Sequence, residues 1–279
     1  MQQPGQARPS RGAAGGSKLR RWGVSVLIFA SGAVFALLLP RQWLWQWQWL
    51  GDWRLPGGRR KTLVVFGDSL TQHGYRLDTA GWVAGLSDVL VRRVDVLNRG
   101  YSGFTTLQGV RILPAILGHH SLRPVDVLFI FFGANDACIS GTEQHVPLPQ
   151  FRQNIRELVA VAKRHSLRVA LITPPPIELE ALKKRNAERG KAILADRNNE
   201  ETRQYAQAVI LEGAALKVPV LDIFSPMLAT DRGPGALLLD GLHFNELGNQ
   251  QLLALVRDGL LKTHFPDLLA GELDFQNTF

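Results

Sequence analysis

Four short stretches of the sequence combine side chains that could move an acyl group. The first is Gly67-Asp68-Ser69-Leu70-Thr71, where a glycine and a short acid let the chain turn tightly after an apolar run. A serine at a strand-to-helix junction lies beside backbone N–H groups that the first helical turn leaves unpaired. That setting suits a nucleophile, and equally an N-cap or a phosphate-binding turn. The second stretch, Asn98-Arg99-Gly100-Tyr101-Ser102-Gly103-Phe104-Thr105-Thr106, has two glycines that permit close backbone approach, making the Gly103 N–H a candidate donor. The third, Gly133-Ala134-Asn135-Asp136, offers an uncharged amide N–H₂ able to meet a developing oxyanion, or simply an Asx-turn. The fourth is Asp240-Gly241-Leu242-His243-Phe244-Asn245. An acid three residues before a histidine can hold the imidazole through Nδ1 and leave Nε2 free.

Singly, each stretch is common. Together they supply a serine, a base with its orienting acid, and three oxyanion donors (the Ser69 N–H, the Gly103 N–H and the Asn135 amide), which is what acyl transfer requires. The order Ser…Asp…His is that of α/β-hydrolases, but their G-x-S-x-G elbow is absent. Cys138 is a rival nucleophile without a basic partner in the adjacent sequence. As the single cysteine it excludes an intramolecular disulfide and a cysteine-rich zinc site. His119-His120 could be read as metal ligands, yet neighbouring positions diverge on a helix. No metal and no cofactor are expected.

These stretches need a frame. Apolar runs at 63–66, 94–97, 125–132, 168–172 and 218–222 read as strands, and about 80–92, 106–118, 150–165, 196–216 and 244–262 as helices. Strands apolar along most of their length belong in a sheet covered on both faces. The expectation is an α/β fold, a three-layer α/β/α sandwich with a five-stranded, mainly parallel sheet. In such sheets ligands bind beyond the carboxyl ends of the strands, where the first three stretches fall. The polar segment 178–205 reads as surface, its Lys183-Lys184-Arg185 run as a solvated helix face, with a lid as the rival reading.

The 279 residues are 46% hydrophobic and 20% charged, enough for a real core, which excludes a mostly disordered chain. The net charge of +8 invites nucleic acid or an anionic membrane as partner. Its position argues otherwise. Residues 1–61 hold ten Lys/Arg against the single acid Asp52, so residues 62–279 carry a net −1 and no nucleic-acid partner is expected. Residues 1–21 read as a disordered basic segment. Residues 22–39 are an uncharged apolar stretch, roughly 27 Å long as a helix, and read as a single transmembrane anchor that is not cleaved. Residues 40–61, with five tryptophans, read as an interfacial belt and linker, or as a strand whose alternate indoles pack on the body. Five basic residues precede the span, so the body is expected on the extracytoplasmic or lumenal side.

Gly-Asp-Ser-Leu at 67–70, the glycine block ending at Gly103, Gly-Ala-Asn-Asp at 133–136 and Asp240-x-x-His243 resemble the four blocks of the SGNH/GDSL hydrolase superfamily. The strings DVLNRGYSGFTT (95–106), FFGANDA (131–137), HVPL (145–148), ITPPPI (172–177), VPVLDIF (218–224) and DGLHFNELGN (240–249) are similar to its isoamyl acetate-hydrolysing esterase branch. The resemblance covers about 62–262 and makes 62–279 the hydrolase domain. It implies a flavodoxin-like three-layer fold and metal-free hydrolysis of short esters. It also implies the roles: Ser69 nucleophile, His243 base, Asp240 orienting acid, with Ser69, Gly103 and Asn135 forming the oxyanion hole. The expected partner is a small ester or lipid substrate, with the membrane reached through the N-terminal helix. An acyltransferase, a thioesterase or a lipid-directed lipase would use the same site, and a non-enzymatic binding protein the same fold.

Overall fold

Alternation along the strands decides the layering. In a strand successive side chains face opposite ways, so a strand apolar throughout must be covered on both sides. Along Lys61–Gly67 (β1), Leu63 and Val65 enter one core while Val64 and Phe66 enter another. Val127–Phe131 (β3) and Arg168–Ile172 (β4) divide in the same way. The structure, a computed structural model, describes residues 60–118 and 124–270. The apolar stretch at 22–39, the Trp-rich segment and the His119-His120 pair lie outside them. Among the described residues, no helix is long and apolar enough to cross a membrane.

With Val94–Gly100 (β2) and Val220–Leu221 (β5) the strands form one sheet in the order β2-β1-β3-β4-β5, every pair parallel. The strand following β1 lies on one side of it and β3 on the other, so the order reverses between β1 and β3. Open α/β sheets bind ligands at this crevice. Gly67 and Phe131, the last residues of the two strands, are partners in register there.

One face carries Ser69–Gln72 (α1), Trp82–Val89 (α2) and Glu246–Leu255 (α8), the last continued by a wider turn over Val256–Leu261. Their Leu70, Trp82, Leu86, Leu252 and Val256 pack with Phe129 and Phe131. The other face carries Thr106–Gly118 (α3), Leu148–Arg164 (α4) and Asn199–Leu216 (α6), whose Leu113, Phe151, Ile155 and Tyr205 pack on Phe66 and Ile130. Each fully buried side chain of this size contributes about 1.5–3 kcal/mol. Leu179–Glu188 (α5) and Phe224–Leu228 (α7) complete the set that concerns the site.

The sheet is wholly rather than mainly parallel. The expected fifth strand, 218–222, shrinks to two residues because Pro219 has no N–H to donate. Its carbonyl still accepts from Leu171 at 2.9 Å. The expected surface segment after 178 forms α5, capped by the Glu178 carboxylate at Glu180 and Ala181.

Candidate active site

Crowding fixes the turn after β1. A Cβ at Gly67 would lie 2.3 Å from both the Phe131 carbonyl and Thr71 Oγ1, so only glycine lets β1 turn beside β3. Asp68 then caps α1, its Oδ1 accepting from the Leu70 N–H at 2.9 Å. Ser69, the first residue of α1, is 5% exposed and keeps an N–H without an intrahelical acceptor. Trp82 Nε1 donates to the Leu70 carbonyl at 3.0 Å, and Asn98 Nδ2 to the Thr71 carbonyl at 2.6 Å. The second block thus grips the helix that carries the serine.

Gly103 has φ +82°, a conformation glycine adopts without strain, and Gln144 Nε2 holds its carbonyl at 2.9 Å. Asn135 is buried beyond β3 and spends one amide hydrogen on the Phe104 carbonyl at 2.8 Å, which leaves the other free. Asp136, next to it, is wholly buried and accepts from the N–H of Thr106 at 2.9 Å and from its hydroxyl. Burial pushes its carboxyl up to about 6 and that of Asp68 up to about 7.

The fourth loop closes the arrangement across 174 residues of sequence: His243 Nε2 lies 3.0 Å from Ser69 Oγ. Its Nδ1 lies 2.8 Å from Asp240 Oδ2, while Asp240 Oδ1 accepts the N–H groups of His243 at 2.8 Å and Leu242 at 3.1 Å. An Nδ1–H donated to the carboxylate leaves Nε2 with the lone pair that the serine hydroxyl meets. Burial works against the Asp240 charge, but the hydrogen bonds and charge of His243 outweigh it and hold the carboxyl well below the ordinary range. The structure therefore joins Ser69, His243 and Asp240 in one hydrogen-bonded line, while Gly103 and Asn135 follow the strands on either side of β1, Asn135 bonded to the Phe104 carbonyl next to Gly103. A cavity of about 730 Å³ opens beside Gly103, bounded also by Thr105, Gln108, Gln144, Lys191 and Ile193.

Three contacts escaped the sequence reading. The Lys183-Lys184-Arg185 run is not uniformly solvated: Arg185 is buried, its Nη1 3.4 Å from Asp240 Oδ2. The signal was its spacing, since Leu179, Leu182 and Arg185 fall three apart on one helical face. His73 places its ring 4.8 Å from that of His243, and burial, then the neighbouring His243, pushes its pKa down. Cys138 does have a basic neighbour, Arg197 Nη2 at 2.8 Å, but both are buried and burial pushes the thiol up, away from a nucleophilic thiolate.

A serine hydroxyl on an imidazole whose far nitrogen sits on a carboxylate, with N–H donors from separate strand ends nearby, is an arrangement suited to attack on an acyl carbonyl. Residues 65–251 match the model of the GDSL-like Lipase/Acylhydrolase family. The chain is 38% identical over 197 residues to the isoamyl acetate-hydrolyzing esterase 1 homolog of Rattus norvegicus, covering 68% of this chain and 77% of that protein. It is 34% identical over 208 residues to the isoamyl acetate-hydrolyzing esterase of Saccharomyces cerevisiae, covering 71% and 84%. Among solved structures, the lipase/acylhydrolase of Enterococcus faecalis superposes with a TM-score of 0.53 at 27% identity, covering 70% of this chain and 93% of that one. The chain belongs to the GDSL-like lipase/acylhydrolase family and is a carboxylic ester hydrolase.

Proposed function

We propose that the chain is a serine esterase that hydrolyses short- to medium-chain carboxylic esters through an acyl-serine intermediate. The observation that carries this is the continuous line from Ser69 Oγ to His243 Nε2 at 3.0 Å and from His243 Nδ1 to Asp240 Oδ2 at 2.8 Å. His243 takes the serine proton as Oγ bonds to the ester carbonyl carbon, and the charge on the carbonyl oxygen falls to the N–H groups of Ser69 and Gly103 and the Asn135 amide. Collapse of the tetrahedral intermediate breaks the ester C–O bond, and His243 returns the proton to the departing alcohol. Water then attacks the acyl-serine by the same route, releasing the acid and restoring Ser69. Asp240 keeps the ring in the useful tautomer and offsets the positive charge it gains. The preference for short acyl groups is supported by the rat and yeast relatives, which are named for hydrolysing isoamyl acetate.

The test is turnover of an ester series from acetate to palmitate, with Ser69→Ala as control. Rates falling from short and medium chains to long ones, and abolished in Ser69→Ala, support the reading. Turnover or fluorophosphonate labelling that survives in Ser69→Ala overturns it.

We further propose that 22–39 anchors the enzyme in a membrane with the hydrolase domain on the extracytoplasmic or lumenal side. The support is eighteen uncharged residues preceded by five basic ones. Retention in the membrane after alkaline extraction, with the C-terminus shielded from added protease until the membrane is opened, is the expected result. Release by alkali overturns it.

A further inference from the structure

Arg185 stands outside the four loops, on α5, with its side chain only 7% exposed. A guanidinium is buried at high cost unless a partner holds it. Its Nη1 reaches Asp240 Oδ2 at 3.4 Å, the same oxygen that accepts from His243 Nδ1 at 2.8 Å. Its Nη2 reaches Asn186 Oδ1 at 3.3 Å. The helix bearing it is fastened to the same loop: the Glu178 N–H donates to the Gly241 carbonyl at 3.0 Å, and a Cβ on Gly241 would lie 2.4 Å from the Leu182 nitrogen. Imidazole and guanidinium therefore share one carboxylate oxygen on a loop that α5 itself positions.

We propose that Arg185 is a positioning residue of the hydrolytic site, fixing the Asp240 carboxylate against His243 and setting, through its charge, the acidity at which His243 stops accepting the serine proton. The inference rests on the Ser69–His243–Asp240 reading above and extends it to a fourth side chain. Its sign is definite. A fixed cation beside the pair opposes a second positive charge on the imidazole ring and so favours the neutral form that a general base needs. Other charged and titratable groups also face the pair. His73 lies against the His243 ring from the turn after α1, with Arg76 and Asp78 next to it. Around the guanidinium stand Arg189 of the α5 C-terminus and Arg197 ahead of α6, both of like charge. Burial and these like charges disfavour the guanidinium at this spot, and the Asp240 carboxylate is what retains it.

The experiment measures kcat/KM on a soluble acetate ester from about pH 5 to about pH 9 for the full chain, Arg185→Gln and Arg185→Lys, with thermal unfolding of each. Arg185→Gln should move the acidic limb to higher pH by on the order of one unit. Arg185→Lys should leave the limb in place but lower the plateau kcat, because an ammonium keeps the charge and loses the fork. A limb unmoved in Arg185→Gln, or moved as far in Arg185→Lys, overturns the proposal. Should Arg185→Gln fail to fold, the limb of Arg185→Lys decides alone: in place supports, displaced overturns. Fluorophosphonate labelling of the unsubstituted chain separates the two levels. If Ser69 is not labelled, the underlying reading fails and the inference falls with it; if Ser69 is labelled and the limb does not respond, the inference alone fails.

Discussion

The Gly241 carbonyl accepts the Glu178 N–H at 3.0 Å, and through that bond the loop bearing Asp240 and His243 rests on the first turn of α5. Gly241 holds φ +80°, and a Cβ there would lie 2.4 Å from both the Glu178 carbonyl and the Leu182 nitrogen. Gly241→Ala should therefore push the loop off the helix. A loss of about 1–3 kcal/mol in stability is expected, with a lower kcat because His243 no longer meets Ser69. Denaturant unfolding and turnover of the same preparation check both.

On the proposed mechanism, Asn135→Ala removes one oxyanion donor while Ser69 and His243 stay paired. The donor acts on charge that develops only during reaction, so kcat should fall by about 10²–10³ with little change in KM. A loss confined to KM would assign the amide to substrate binding instead.

Asp68 gives a pH-dependent test of the fold. Its folded-state pKa, about 7, lies above the ordinary carboxyl value of 3.8 because burial disfavours the charge. The folded protein therefore binds more protons than the unfolded chain between those values, and this group's contribution to stability is lost as pH rises through 7. Asp68→Asn keeps an oxygen to cap the Leu70 N–H and removes the titration. The decline of Tm from pH 5 to pH 8 should be shallower in the variant, and an unchanged slope would contradict the assignment.

Glu212 ties α6 to α4 away from the site. Its carboxylate, 1% exposed, accepts from Arg152 at 2.6 Å and from Arg156 at 2.6 and 2.8 Å. Burial opposes its charge, but the two arginines prevail and pull its pKa down. Its stabilisation is thus present above the ordinary carboxyl value and lost as pH falls through the folded one. Glu212→Gln should cost about 1–3 kcal/mol near neutral pH and leave kcat unchanged, read by urea unfolding and turnover.

The legible parts of the site and the illegible ones differ in kind. Ser69, Gly103 and Asn135 follow strands directly, and His243 sits three residues from its own acid, so local sequence carries each of them. Arg185 is three residues along a charged run, and its burial is decided by a loop 55 residues away. Its spacing from Leu179 and Leu182 separates it from Lys183, which pairs with Glu180 at the surface, but that spacing does not name Asp240 as its partner. The Cys138–Arg197 contact spans 59 residues and was invisible for the same reason. The helices at 106–118 and 150–165 were plain because their apolar faces repeat at helical spacing. The fifth strand was overread because apolar character says nothing about the missing N–H of Pro219.

Ser69 and His243, in contact in the fold, stand near opposite ends of the described sequence, 174 residues apart. On the proposed mechanism, a chain still emerging from the ribosome carries its nucleophile early, while its base arrives only after every strand of the sheet has been made. Until then the serine hydroxyl has no proton acceptor and is inert toward esters. Onset of hydrolysis during synthesis or refolding is thus a chemical signal that the whole sheet has closed, and it should lag behind the recovery of secondary structure.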